Sequence, residues 1–331
     1  MRRSKNKKTT GSKGFDPNEG QGLARWAWCD KTGTGAPSSS DCFNFKLGTW
    51  NVRSLRKGGK LANVMQEMRR MKVNVMGVAE TCWQESGSFT SHIPEDRDSR
   101  MDAGEVTDEG GDRYRIFYSG GDKNRRGVGL IVAEGVLRSV MMVEPISERI
   151  IIMRLMMKPM NVLIVQIYAP CEDEEEEEKD QFYEALDQTL KEYKKGRECL
   201  VVMGDFNGKV GNGREENIIG PYGLGTRNEN GERLISFCKK HNLFVTNTWF
   251  QQKRSAQHTW ISPGGRVKNQ IDFVLVDSRF RNGVKNSKAM PGAHCETDHK
   301  PVIARLKIKL QRVRKLKQAK KWNVNRLKTQ M

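Results

Sequence analysis

Asp205 and Asn207 lie two residues apart at the end of an apolar run, CLVVMGDFNG, from Cys199 to Gly208. Residues 200–203 are apolar, rich in β-branched side chains and bounded by Gly204, so they read as a buried strand. A carboxylate and a carboxamide at such a strand end project into one cleft while Phe206 packs away from it. The pair offers a base or metal ligand beside an amide that can bond a phosphate oxygen or a water. Gly, Asp and Asn are also ordinary turn residues, so these positions alone read equally well as a turn. The balance shifts because other polar residues stand at the ends of apolar strands: Asn51, Glu80, Tyr168, Asp272, and the Asp298-His299 pair.

Taken singly, each has a structural explanation. Asn51 caps a turn, Glu80 caps a helix, Tyr168 is core and His299 is surface. Jointly they describe a reaction centre. Hard oxygen ligands with few soft ones favour Mg²⁺ or Mn²⁺ over zinc. A carboxylate-held cation, an imidazole and a phenol together stabilise the charge of a pentacoordinate phosphorus. Asp205 orients or deprotonates a water, and Asp272 holds the His299 ring in one tautomer and favours its protonated form. The chemistry expected is metal-assisted phosphodiester hydrolysis.

The elements that must position these groups follow from periodicity. Order is expected from Phe45, where FKLGTWNV forms a strand ending at Asn51. Leu61, Val64, Met65, Met68 and Met71 have helical spacing, which predicts a helix over 60–71, and a strand over 73–79 delivers Glu80. Residues 83–112 are polar and rich in Gly, Ser and Asp, and read as one long loop. Strands are predicted over 113–118, 128–133, 137–143, 149–157 and 162–168, with short connections that imply antiparallel pairing. Between the first two, DKNRRG presents Arg125 and Arg126 at a basic tip, as a candidate contact to a phosphate backbone. The acidic run 172–178 suits a helix N-terminus, and Phe182, Leu186 and Leu190 continue its apolar stripe. A helix over 231–241 and a strand over 243–246 come next. A hairpin is expected to start at His258-Thr259-Trp260, turn at Pro263-Gly264-Gly265 and return over 270–276, which places Asp272 inside an apolar strand. A closing strand over 302–310 leads into a basic helical tail.

The net charge of +18 resides entirely in the ends: residues 1–14 carry six Lys or Arg, and residues 299–331 carry twelve, with no acid in either stretch. Basic ends on a formally neutral body suit a polyanion, nucleic acid first and an acidic membrane surface second; the partners expected are DNA, then RNA, and no membrane. Residues 1–44 read as a basic, disordered arm in which MRRSKNKK is a nuclear-import or nucleic-acid patch. Residues 45–310 read as the folded domain and 311–331 as the tail. Seven cysteines without CxxC spacing suit a reducing, intracellular compartment, and no apolar run approaches membrane-span length. No protein partner can be inferred.

TWNVRSL, VAET, IYAP, GDFN, the HTW to QIDFV pair and TDH occur in the order found in the endonuclease/exonuclease/phosphatase superfamily, which the chain resembles over 45–310. Closer still are the endonuclease domains of LINE-type (non-LTR) retrotransposons and craniofacial development protein 2-like host proteins. The resemblance implies a four-layer α/β sandwich, two mainly antiparallel sheets flanked by helices. It puts Glu80 and Asn51 at the metal and its shell, with Asp298 assisting metal or water. It puts Tyr168 at the phosphate, Asp205 and Asn207 at the attacking water and phosphate, and Asp272 behind a phosphate-stabilising His299. Thr259 falls near the DNA contact. Two positions depart from the pattern: Arg53 stands where DNA-repair members often carry an acid, and Thr297 where many relatives have Ser. The expected function is a Mg²⁺-dependent nuclear DNA endonuclease, domesticated or truncated from a retroelement. The alternatives are an inactive chromatin- or nucleic-acid-binding protein of the same fold and a phosphoinositide or sphingolipid phosphatase.

Overall fold

The computed structural model describes residues 43–93, 112–157 and 160–308. The expected N-terminal arm, most of the 83–112 loop and the basic tail helix lie outside the described residues. β1 (Phe43–Asn51) enters the centre of a sheet, and α1 (Lys60–Met71) buries Val64, Met65, Met68 and Met71 against the sheet's outer face before Lys72 ends it in the left-handed region. β2 (Val75–Ala79) returns parallel to β1. β3 (Ser86–Ile93), β4 (Asp112–Ser119) and β5 (Val128–Ala133) extend that sheet, and β5 leads into a single helical turn, α2 (Glu134–Leu137).

The second sheet receives β6 (Val140–Ser147), β7 (Ile150–Leu155) and β8 (Val162–Tyr168). Next, α3 (Glu176–Tyr193) carries three glutamates in its first turn and seats Phe182, Leu186 and Leu190 on that sheet. β9 (Cys199–Asp205) lies parallel to β8. α4 (Glu229–His241), capped by the Asn228 side chain on the Gly231 N–H, precedes β10 (Leu243–Val245). A small hairpin, β11 (Trp260–Ile261) with β12 (Lys268–Asn269), stands apart from both sheets. β13 (Asp272–Asp277), β14 (Val284–Ala289) and β15 (Val302–Ile308) complete the fold.

Seven strands run in the order β14-β15-β1-β2-β5-β4-β3 and six in the order β10-β13-β9-β8-β7-β6. Among the described strands β1–β2 and β8–β9 pair in parallel and the other strand pairs are antiparallel. The expected four-layer α/β sandwich is the one observed. Phe45, Leu47, Val75 and Leu130 of one sheet meet Ile151, Ile164, Val201 and Val274 of the other in the central layer. α1 covers the far face of the first sheet, while α3 and α4 cover the far face of the second. Arg154, which breaks the longest apolar run, points outward from β7 and is buried against Glu198, Nε to Oε1 2.7 Å.

Several local expectations are corrected. Residues 86–93, read as loop, form β3; its small polar side chains give little apolar alternation because an edge strand is half solvated. β14 is a strand that periodicity does not indicate, for the same reason. The segment 137–143 divides between α2 and β6, and β6 joins the other sheet instead of pairing with β5. The hairpin returns through Lys268–Asn269, so β13 is free to pair with β9, bringing Asp272 opposite Asp205.

Candidate active site

Strand parity builds the site. In β1, Phe45 and Leu47 face the central layer, and Thr49 and Asn51 continue on that face. The same count along β8 runs Val162, Ile164, Gln166, Tyr168; along β9 it runs Val201, Met203, Asp205; and along β13 it runs back from Val276 and Val274 to Asp272. The apolar layer between the sheets therefore turns polar toward one end. Thr49 Oγ1 donates to Gln166 Oε1 across the layer at 3.1 Å, and Asn51, Tyr168, Asp205 and Asp272 lie one step beyond. Gly204 allows β9 to lie against β8, since a Cβ there would meet the Ile167 carbonyl at 2.1 Å. Glu80 follows β2 at φ +55°, outside the strand region, and its carboxylate meets Asn51.

Asn51 is the central donor. Its Nδ2 bonds Glu80 Oε1 at 2.7 Å and Asp205 Oδ2 at 2.9 Å, while its Oδ1 accepts from the Arg53 N–H at 3.0 Å. Asp205 Oδ1 accepts from the Asn207 N–H at 2.9 Å. His299 Nδ1 meets Asp272 Oδ2 at 3.0 Å, and its Nε2 stands 3.9 Å from Asp205 Oδ2, beyond hydrogen-bond reach. Tyr168 lines the cavity with Glu80, and the Asn207 side chain donates to the Ala169 carbonyl at 2.9 Å.

The electrostatics follow from this geometry. Burial, then the neighbouring Asp272, push the Asp205 carboxyl up to about 7, against the opposing pull of His299, Asn51 and the Asn207 N–H. Burial by itself would lower His299, but the charge and hydrogen bond of Asp272, helped by Asp205 and Asp298, raise it to about 9. Tyr168 is raised far above its usual range by burial and then by Glu80, so the phenol keeps its proton and donates.

A cavity of about 470 Å³ opens over these groups, and Glu80, Tyr168, Asp205, Asn207, Asp298 and His299 line it. Asn51 and Asp272 stand directly behind, bonded to lining residues. Three expected contacts are not brought in. Thr259 is fully buried, and its hydroxyl accepts the N–H groups of Ile271 (3.0 Å) and Asp272 (3.1 Å), so it fixes the start of β13. The Arg126 guanidinium is committed to Glu148, Glu174 and Glu178. Arg125 precedes it in the same connection, and neither arginine lines the cavity. Residues that sequence reasoning passed over line it instead, among them Arg53, Cys171, Lys209 and Trp260. Lys209 and Arg53 were findable, each lying two residues beyond a motif asparagine, and Trp260 adjoins the residue chosen in its own motif.

Two arrangements suit a divalent cation. Asp205, Asp272 and His299 offer ligand atoms within 4.8 Å of one another, although the last two are already bonded together. Glu80 offers a half-buried carboxylate facing the cavity, with no ion-pair partner among the described residues, beside a second carboxylate on the same amide. An all-oxygen set of this kind fits Mg²⁺ or Mn²⁺, which bind through one or two carboxylates and keep several waters.

Residues 48–299 match the Endonuclease/Exonuclease/phosphatase family. Craniofacial development protein 2 of Bos taurus is 39% identical over 266 residues, 80% of this chain and 41% of that protein. The chain thus spans less than half the length of that relative. Among solved structures, the endonuclease domain of TRAS1, a telomere-specific non-LTR retrotransposon, superposes with a TM-score of 0.51 at 11% identity, over 80% of this chain and 98% of that one. The AP endonuclease LMAP from Leishmania major superposes with a TM-score of 0.55 at 12% identity, over 80% and 88%. At these identities the two structures speak for a shared fold.

Proposed function

Because the chain belongs to the endonuclease/exonuclease/phosphatase family, we propose that it is a Mg²⁺- or Mn²⁺-dependent DNA endonuclease that nicks one strand by hydrolysing a phosphodiester. The observation that carries this reading is the Asp272–His299–Asp205 series at the floor of the cavity, with Tyr168 and the Glu80–Asn51 pair alongside. Asp205 takes a proton from the attacking water, a role suited to a carboxyl raised toward neutrality. Asn207 positions that water beside it. Asp272 holds the His299 ring and favours its charged form, so that Nε2–H donates to a non-bridging phosphate oxygen. The Tyr168 hydroxyl donates to another. Glu80 would hold the divalent ion, and Asn51 fixes that carboxylate; when bound, the ion supplies positive charge to the phosphate oxygens.

The basic ends favour nucleic acid over a lipid headgroup as substrate, and they suit a nuclear protein. The fold shared with TRAS1, whose domain is a retrotransposon endonuclease, supports the same choice. Conversion of supercoiled plasmid to nicked circle with Mg²⁺ tests the proposal. The wild type is expected to nick, with Asp205→Asn and His299→Ala at least about 100-fold slower, the scale on which general acid–base groups act. Equal background nicking by all three would leave a non-catalytic nucleic-acid-binding protein of the same fold.

A further inference from the structure

We propose that a second cavity, across the Arg53–Asp298 bridge from the first, receives the phosphate next to the scissile one, and that Lys300, oriented by His258, binds it there. The inference rests on the nucleic-acid reading above and adds a flanking contact on the same strand. This cavity, of about 690 Å³, opens between the β11–β12 hairpin and the segment leading to β15. Arg53, Asp298 and His299 line both cavities and so form a shared wall. The hairpin is fixed against that wall through its backbone. Trp260 bridges His299, the Ile261 N–H donates to the Asp298 carbonyl at 3.1 Å, and the Lys300 N–H donates to the Thr259 carbonyl at 2.7 Å. A strand whose phosphate sits at His299 has a short path across the wall, which sets the neighbouring phosphate in the second cavity.

Charge decides what the second cavity accepts. The two carboxylates that line it are each answered by a cation, Asp298 by Arg53 at 3.1 Å and Glu296 by Lys57. His299 is answered by Asp272. Lys300 has no carboxylate partner among the described residues. Its ammonium donates instead to two neutral groups, His258 Nε2 and, at 3.4 Å, the Ser255 carbonyl. His258 is set for this role. Its Nδ1 faces the Arg254 carbonyl at 2.9 Å, which can only accept, so Nδ1 carries the proton and Nε2 offers its lone pair to the ammonium. Burial holds this ring below its ordinary pKa, and the nearby Lys300 and Lys268 charges act the same way against the Arg254 carbonyl. A neutral imidazole thus orients the lysine without cancelling its charge, and the third ammonium N–H is left for an anion. A lysine held in place gives up less side-chain freedom on binding a phosphate than a free one would.

Fluorescence anisotropy of a labelled duplex with the full chain, over a KCl series in EDTA, tests this without reference to turnover. Lys300→Met should weaken binding about five- to tenfold at 0.1 M KCl and reduce the slope of log affinity against log salt by about 0.9, the value of one phosphate contact. The charged ends add to the slope in every variant alike and cancel in the difference. Lys300→Arg should keep the slope. His258→Phe should lose affinity by itself but nothing further in the Lys300→Met background, because the ring acts through the ammonium. Thermal melts establish which variants are folded, and if His258→Phe is not, the two lysine variants decide by themselves. An unchanged slope and affinity in folded Lys300→Met, or an additive loss in the double variant, overturns the inference. A wild type that shows the Lys300-dependent slope yet never nicks plasmid overturns the hydrolytic reading and leaves this contact standing. No duplex binding by the wild type overturns the nucleic-acid reading and this inference with it.

Discussion

His299 lies nine-tenths buried and still carries a raised pKa, since Asp272 at 3.0 Å outweighs the cost of burying its charge. A group whose folded pKa exceeds its unfolded value contributes stability that is complete below the unfolded value and lost as pH rises through the folded one. For His299 that window runs from about 6.5 to about 9. Asp205, raised from near 3.8 to about 7, has the same sign: its protonated form is favoured by the fold, and ionisation costs stability as pH rises. Without divalent cations, the melting temperature should therefore fall as pH climbs from about 6.5 to 9. At about 1.4 kcal/mol per pKa unit, the His299 contribution is at most about 3.5 kcal/mol. His299→Gln should remove most of the slope in that interval. Melts at a series of pH values in EDTA measure this, and a wild-type curve that is flat or rises over the interval contradicts the assigned shifts. In the catalysed reaction the same pair predicts a bell: an acid limb as Asp205 gives up its proton and an alkaline limb as His299 loses its own.

At the level of elements, the site is the polar end of a layer whose other end is apolar core, and the two sheets must approach closely to form it. Gly77 of β2 faces Gln166 of β8, where an added Cβ would stand 1.8 Å from Oε1 and 3.0 Å from Met203 Cε. Gln166 is fully buried and bonded to Thr49, so it cannot swing aside at little cost. Gly77→Ala should destabilise the protein by about 1–3 kcal/mol, the usual cost of overpacking. A lowered urea midpoint with an unchanged m-value is the measurement, and an unaltered midpoint would mean the sheets have slack at this point. The strands that make the layer were legible in the sequence because each is an apolar run ending on a polar side chain, and counting by twos from Leu47, Ile164, Met203 or Val274 reaches Asn51, Tyr168, Asp205 or Asp272. β3 and β14 were not legible, since half-exposed polar strands show no contrast between faces. Nor was the positive φ of Glu80, the turn at Arg53 and Ser54, or the burial of Thr259: each depends on partners far away in the chain. The Trp50 indole donating to the His299 carbonyl, 249 residues on, is of that kind. Periodicity shows which face a residue is on, and only tertiary pairing decides what it meets there.

For the whole molecule, the decisive feature is where the charge resides. The excess of +18 comes from the two ends, while the body is formally neutral and its cavity contains Glu80, Asp205 and Asp298. Arg53, Lys209 and a charged His299 line the same cavity and largely offset these carboxylates, so the cavity has little net charge with which to draw in a phosphate backbone, and long-range attraction falls to the charged ends of the chain. Residues 315–331 contain six Lys or Arg and no acid. If these side chains neutralise DNA phosphates, each contact releases a condensed counterion and steepens the dependence of log affinity on log salt by about 0.9. Deleting 315–331 should weaken duplex binding at low salt and reduce that slope by up to about 5, with the loss independent of DNA sequence. Fluorescence anisotropy of a labelled duplex, titrated over a KCl series in EDTA so that no cleavage intervenes, reads both quantities. A slope unchanged by the deletion would mean the segment does not touch phosphates. Attraction would then fall to the other charged end, which truncating residues 1–14 in the same assay would reveal.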